Sequence, residues 1–333
     1  MRAVVVGAGA VGARAARQLL AHPEIERLVV VDTDAGRAEA VVESLGSAAE
    51  TSPWFDLDEP DAIDVVILAT PGDHRVLAEQ ALMRGAHVVS VAEALTTVEP
   101  LLELHDVAQK RGRSLVVGAG FTPGLSCVLA RHGAAGFDGV QEIHVARVGT
   151  GGPACARQHH DCLGRSALDW RDGRWLHAAA GSGRELCWFP EPVGGRDCYR
   201  AGLADAVVLV PAFPGVERVT VRVAASRRDR LTVRLPLLRK PHAEGLLGAL
   251  RVEVRGRRGR VPDVVVLGAL DRPALAAGAV AAVAAGWAVD GRLARTGAGG
   301  LAALVPEPLA FLQELARRGV RAAAFDGAAE VGR

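Results

Sequence analysis

Six residues near the start of the chain, Gly7-Ala8-Gly9-Ala10-Val11-Gly12, restrict the fold more than any others. They follow the continuously apolar run Ala3-Val4-Val5-Val6 and open a segment, Ala10–Ala21, with helical apolar spacing. In a strand–turn–helix unit each glycine has a steric task. Gly7 permits the tight turn, Gly9 lets a ligand approach the backbone, and Gly12 lets the helix pack close to the strand. The free N–H groups at the helix start then favour an anion, and a pyrophosphate fits that position. A second apolar run, Leu28–Val31, ends in Asp32, 20 residues after Gly12. A carboxylate so placed accepts hydrogen bonds from an adenosine ribose. The pattern therefore points to a dinucleotide. Asp32 repels a 2′-phosphate and favours NAD, while Arg37 in the next helix leaves NADP as an alternative.

The first third continues as strand alternating with helix. Ala35–Leu45, Asp73–Arg84 and Thr96–Gly112 read as helices. Asp64–Ala69, Ala86–Val91 and Ser114–Val117 read as strands, with a weak one near Ala48–Thr51. Strands apolar on both faces imply a parallel sheet covered by helices on both sides. The fold class is thus α/β, an N-terminal Rossmann doubly wound parallel sheet. Its ligand crevice lies beyond the carboxyl ends of the strands. That places Gly7, Gly9, Ala10, Val11, Gly12, Asp32, Thr33, Ala69, Thr70, Pro71 and Gly120 at the cofactor. Glu93, after the strand Ala86–Val91, faces the nicotinamide half. His74 sits just beyond Thr70-Pro71-Gly72, as a structural residue or a cofactor contact.

With 333 residues the chain exceeds one ordinary core. From about Leu125 the pattern changes. Val140–Val148 partly alternates, with Ile143 and Val145 on one face, and Val207–Val210, Arg218–Val223, Leu250–Val254 and Val264–Leu267 read as strands. This predicts a second α+β domain containing a largely antiparallel sheet with one solvated or partner-facing side. The division expected is 1–124 for the dinucleotide domain, 125–270 for the second domain, and 271–333 for C-terminal helices. In the apolar stretch Pro273–Val289, Gly278, Ala282 and Gly286 recur every fourth residue and make a smooth helix face, either core or dimer interface.

Chemistry in the second domain concentrates in Gly151–Gly164, read as a loop, which holds Arg157, Gln158, His159, His160 and Asp161. Arginine binds a carboxylate with a bidentate fork, and histidine titrates near neutral pH. Arg157 is therefore the expected substrate-carboxylate ligand and His160, or its neighbour His159, the acid–base group. The alternative is an interface loop whose histidines only hydrogen-bond. Cys155, His159, His160 and Cys162 match no usual zinc spacing, so no metal is expected. Trp170, Trp175 and Trp188 read as core or as pocket lining.

The bulk composition excludes other classes. Thirty-nine basic residues balance 38 acidic ones, which leaves no footprint for nucleic acid or an anionic membrane. Five cysteines without a CxxC argue against a disulfide framework. No apolar stretch resembles an export signal, and Pro273–Val289 is short for a span. A cytoplasmic protein is expected.

Four stretches resemble the saccharopine dehydrogenase family, including its shorter lysine-6-dehydrogenase-like members. They are Gly7–Gly12 with Asp32, Val117–Ala130 with its Pro123-Gly124-Leu125, Phe189–Gly194 followed by Tyr199 and Asp205, and Gly299–Ala324. Thr122 stands where the family often carries an acid, and the family's catalytic lysine has no evident counterpart. The resemblance implies hydride transfer at a C–N bond of an amino acid, polyamine or imine, substrate binding and dimerisation by residues 125–270, final helices packed on the first domain, and a homo-oligomer. Two other classes fit parts of the pattern. An S-adenosylmethionine methyltransferase shares the Gly-rich turn and the acid, although its turn is usually GxGxG. A cofactor-binding assembly protein would have the same first domain without turnover.

Overall fold

The computed structural model describes residues 1–52, 63–237 and 241–325. The first sheet is built from β1 (Arg2–Val6), β2 (Arg27–Val31), β3 (Ala49–Thr51), β4 (Val65–Leu68), β5 (His87–Ser90) and β6 (Ser114–Val117). Between them run α1 (Ala10–Leu19), α2 (Ala35–Leu45), α3 (Arg75–Met83), α4 (Leu95–Leu102) and α5 (His105–Lys110). The expected single helix Thr96–Gly112 is in fact two. α4 ends at Leu102, two residues past Pro100, and Leu104 donates to Leu101 rather than one residue further back. α3 starts at Arg75, and the Asp73 carboxylate accepts its N–H at 2.8 Å.

The second domain contains α6 (Leu125–Ala134), β7 (Gly139–Val148), α7 (Pro153–Cys162), β8 (Ser166–Arg171), β9 (Arg174–Ala179), β10 (Glu185–Phe189), β11 (Gly194–Arg200), α8 (Asp205–Leu209), β12 (Arg218–Ala224), α9 (Arg227–Leu231), β13 (Gly248–Arg258) and β14 (Val261–Asp271). The chain then runs through α10 (Pro273–Val289), β15 (Gly297–Gly299), α11 (Leu301–Leu304), α12 (Pro308–Arg317) and β16 (Ala322–Phe325).

The first sheet is parallel throughout, in the order β15-β6-β5-β4-β1-β2-β3. Its central strands are buried on both faces, as continuous apolar runs require. The second sheet runs β10-β11-β12-β7-β13-β14-β16, with the β8–β9 hairpin beside β12. All its pairs are antiparallel except β12 with β7. Ile143, Val145, Val219, Val221, Val252 and Val254 face the core under α6. The opposite face carries a polar network in which His144 joins Thr220 and Glu142, while Asp169 holds Arg200 and Arg222.

Two expected elements take another form. Val207–Val210 was read as a strand; it belongs to α8 and a following 3₁₀ turn, Val210–Ala212. A short, continuously apolar run carries no periodicity that separates helix from strand. The expected loop Gly151–Gly164 contains a ten-residue helix, α7. Pro153 at its first position and Gly164 beyond its end are ordinary start and stop signals. The C-terminal segment supplies strands to both sheets besides its helices. α10 lies on α1, and a Cβ added at Gly278 would come within 2.6 Å of the Arg14 Cβ. Among the described residues no helix is long and apolar enough to cross a membrane.

Candidate active site

A cleft of about 890 Å³ opens at the carboxyl ends of β1, β2 and β4. Gly7, Gly9, Ala10, Val11, Asp32, Thr33, Ala69, Thr70 and Pro71 line it from the first domain. Steric demand at the glycines matches the fingerprint. Gly7 has φ +106°, and a Cβ there would lie 2.7 Å from the Ala69 carbonyl carbon. A Cβ at Gly12 would fall 1.7 Å from the Gly7 oxygen, so Gly12 lies beneath the turn and allows helix to meet strand. Gly9 has nothing within 4 Å of that position and presents open backbone to the cleft. Asp32 is tied down on both oxygens: Oδ2 accepts the Ala8 N–H at 2.7 Å and Oδ1 the Asp34 N–H at 2.9 Å. Arg37 pairs with Asp34 at 3.0 Å and stands 3.7 Å from Asp32. The cleft thus fits a dinucleotide, with amide donors for phosphates and a fixed carboxylate for the ribose.

The second domain closes the far wall. Gly152, Pro153, Ala154, Cys155 and Arg157 of α7 and its approach line the same cleft, together with Ala243. Only a residue without a side chain fits at 152, because a Cβ there would be 2.8 Å from both the Ala10 Cβ and the Ala243 oxygen. Glu244 fastens this segment to α1 through Arg14 at 2.6 Å and also contacts Arg272 at 3.3 Å.

A smaller cavity of about 70 Å³ adjoins the cleft at its inner end. Glu93, Gly120, Thr122, Arg147, Cys155 and Gln158 are among its lining residues. Glu93 and Arg147 form a buried ion pair at 2.6 and 3.3 Å, and Arg147 also donates to Thr122 Oγ1 at 3.0 Å. Among the described residues Arg147 Nε is buried without a partner. Behind this pair Asp205 accepts a 2.6 Å hydrogen bond from Ser126, and its other oxygen is buried with no partner among the described residues. Burial pushes the Asp205 carboxyl up to about 6, against the opposing effects of Ser126 and Arg147. Burial likewise raises the Cys155 and Cys162 thiols to about 11 and about 12, which keeps them protonated.

The structure brings Glu93 and Gly120 together at this inner cavity and Arg157 to the rim of the dinucleotide cleft. His159 and His160 line neither. His160 Nε2 donates to the Thr232 and Leu235 carbonyls at 3.0 and 3.2 Å, a contact that ties α7 to the segment after α9. Burial, with the charge of Arg147, lowers His159 to about 3, which keeps the ring neutral. His74 is buried between Ser90 Oγ, at 2.8 Å, and the Thr70 carbonyl, at 2.9 Å, and so braces the strand ends. Tyr199 lies beneath the Arg230 guanidinium. Trp170 and Trp175 stack edge to face across a hairpin, and Trp188 is 64% exposed, so the three line neither cavity.

Arg147 was not singled out from sequence, yet a signal existed. It continues the parity of Ile143 and Val145, and so places a guanidinium on the apolar face of an alternating strand.

Residues 1–119 match the family model described as "Oxidoreductase family, NAD-binding Rossmann fold". The first domain is thus an NAD-binding Rossmann domain of the oxidoreductase type. Solved structures resemble nearly the whole chain. Apo saccharopine dehydrogenase (L-Glu forming) from Saccharomyces cerevisiae matches with a TM-score of 0.68 at 16% identity, over 97% of this chain and 99% of that one. C. glutamicum DAP dehydrogenase in complex with DAP gives 0.52 at 15% identity, over 93% and 95%. An engineered D-amino acid dehydrogenase bound to NADP+ gives 0.51 at 14% identity, over 93% and 95%. At these identities the likeness is one of fold.

Proposed function

We propose that the protein is an NAD(P)-dependent dehydrogenase or reductase acting at a C–N bond of an amino acid or a related amine or imine. The observation that carries this reading is the Glu93–Arg147 pair. It joins the two domains at the inner end of the dinucleotide cleft, beside the cavity where a substrate carbon would meet the cofactor. When bound, the nicotinamide supplies the hydride acceptor or donor. Gly9, Ala10 and Asp32 hold the pyrophosphate and ribose, and Arg157 at the rim adds a cation near the phosphates. Arg147 offers its unpartnered Nε–H to an anionic group of the substrate, and the Glu93 carboxylate receives the substrate N–H. Asp205, poised near 6, stores a proton behind them. Arg147 and Glu93 thus take the roles expected of Arg157 and His160. The three structural likenesses named above, all of them amino-acid dehydrogenases by name, support the substrate class.

A screen of amino acids, diamines and amine–oxoacid pairs for a change in nicotinamide absorbance tests the reading. Turnover with at least one C–N substrate, reduced at least 100-fold in Glu93→Gln with NADH still bound, is the expected result. NADH binding without turnover of any amine or imine would leave the assembly protein as the better account.

A further inference from the structure

A second large groove, about 900 Å³, lies on the second domain and shares no lining residue with the dinucleotide cleft or its inner cavity. Its walls are the turn from Leu163 to Ser166, the end of β9 with the residues that follow it, and the segment around α9. Arg165, Arg227, Arg230 and Arg234 line it with His177 and Ser166, and no aspartate or glutamate does.

This grouping departs from the rest of the molecule. The chain as a whole is balanced, and its other arginine clusters sit on acids: Arg200 and Arg222 on Asp169, Arg251 and Arg255 on Glu253. Among the described residues Arg165, Arg227 and Arg234 have no carboxylate partner. Asp229 on α9 is spent on the helix cap, where it accepts the Ser226 N–H at 2.8 Å. Arg230 is held in place by the Tyr199 ring, 4.1 Å from its guanidinium carbon, and by the Gly181 carbonyl at 3.4 Å from Nη1, while its Nε is buried with no partner among the described residues. Like charges gathered in one concavity repel each other, and a bound anion removes that cost. Guanidinium forks match phosphate and carboxylate oxygens in pairs.

We propose that this groove is a binding site for a small polyanion, a molecule carrying two or more neighbouring phosphate or carboxylate groups. The site is separate from the dinucleotide cleft and stands whether or not the reaction proposed above is correct.

Isothermal titration of the full chain with inorganic pyrophosphate, in the presence of saturating NADH, tests the proposal, with citrate and acetate as parallel titrants. Pyrophosphate or citrate is expected to bind at least tenfold more tightly than acetate, and whichever is stronger assigns the phosphate or carboxylate class. The double variant Arg227→Glu/Arg234→Glu changes two exposed side chains outside the core and should fold with an unchanged thermal midpoint. It should lose at least tenfold in affinity, whereas Arg157→Ala in the other cleft should not. Arg165→Glu serves as a second, independent variant with the same expected loss. No binding of either polyanion, binding no tighter than that of acetate, or equal binding by the charge-reversed variants would overturn the proposal.

Discussion

Glu93 Oε2 lies 2.6 Å from Nη1 of Arg147, and the two residues come from different domains. Glu93 follows the end of β5; Arg147 is the penultimate residue of β7. Their side chains are 14% and 6% exposed, so each charge depends on the other in a setting with little water. A buried pair of this kind adds little net stability compared with apolar packing, yet losing one member leaves the other charge stranded. The pair therefore ties the two domains together at the inner cavity.

Glu93→Gln should lower stability by about 3–5 kcal/mol, because Arg147 stays charged and buried. Glu93→Leu combined with Arg147→Met should recover most of that loss while remaining inactive. Thermal unfolding and turnover measured side by side separate the two effects. Full stability in Glu93→Gln would show that the charge finds another partner.

Asp32→Ala should weaken NADH binding at least tenfold and NADPH binding less, narrowing the difference between them. The mutation removes both the ribose acceptor and the brace on the Ala8 and Asp34 amides. Fluorescence titration with each cofactor reads this directly, and unaltered NADH affinity would refute the cleft assignment.

Gly278→Ala should destabilise by at least the 1–3 kcal/mol usual for overpacking, since its methyl would meet Arg14 Cβ at 2.6 Å and the Ala15 nitrogen at 2.8 Å. Gly139→Ala, with nothing within 4 Å, serves as the control and should leave the midpoint nearly unchanged.

His87 accepts the Ser114 N–H on Nδ1 at 3.1 Å; burial first, then the Arg113 charge, lowers it to about 4. The unfolded ring titrates near 6.5, so below that pH the unfolded chain binds the extra proton. The stability contributed by neutral His87 is complete above about 6.5 and is lost as pH falls toward 4. Tm should therefore drop between pH 7 and pH 4.5, and His87→Gln should lessen the drop.

Asp205 has the opposite sign. Its folded carboxyl titrates at about 6 against 3.8 when exposed, so the fold loses stability as pH rises through that interval. Asp205→Asn should raise Tm at pH 8 and leave it unchanged at pH 4. A lower Tm at pH 8 would mean that the ionised form is held by Arg147.

The first domain was legible because its strands are apolar on both faces and its turns carry glycine where a side chain would collide, as at Gly7 and Gly12. β8 to β11 were not. Arg174–Ala179 is exposed along most of its length, and Gly194–Arg200 mixes charges and small residues with no clean alternation. The inner site was only partly readable. Glu93 follows a recognisable strand, but Arg147, Thr122 and Asp205 meet it through tertiary folding across 54, 29 and 112 residues of chain. The paired histidines attracted attention by composition, while the helix that bears them turns Cys155 and Gln158 to the cavity instead.

β15 has a consequence for how the molecule is made. Gly297–Gly299 supplies the last strand of a sheet whose other members all precede residue 118, lying beside Ser114–Val116. Until that late tripeptide emerges from the ribosome, β6 presents a bare, largely apolar rim able to template foreign strands. Cutting the gene after residue 124 would make this condition permanent, so an excised nucleotide-binding half should aggregate rather than survive as a usable module.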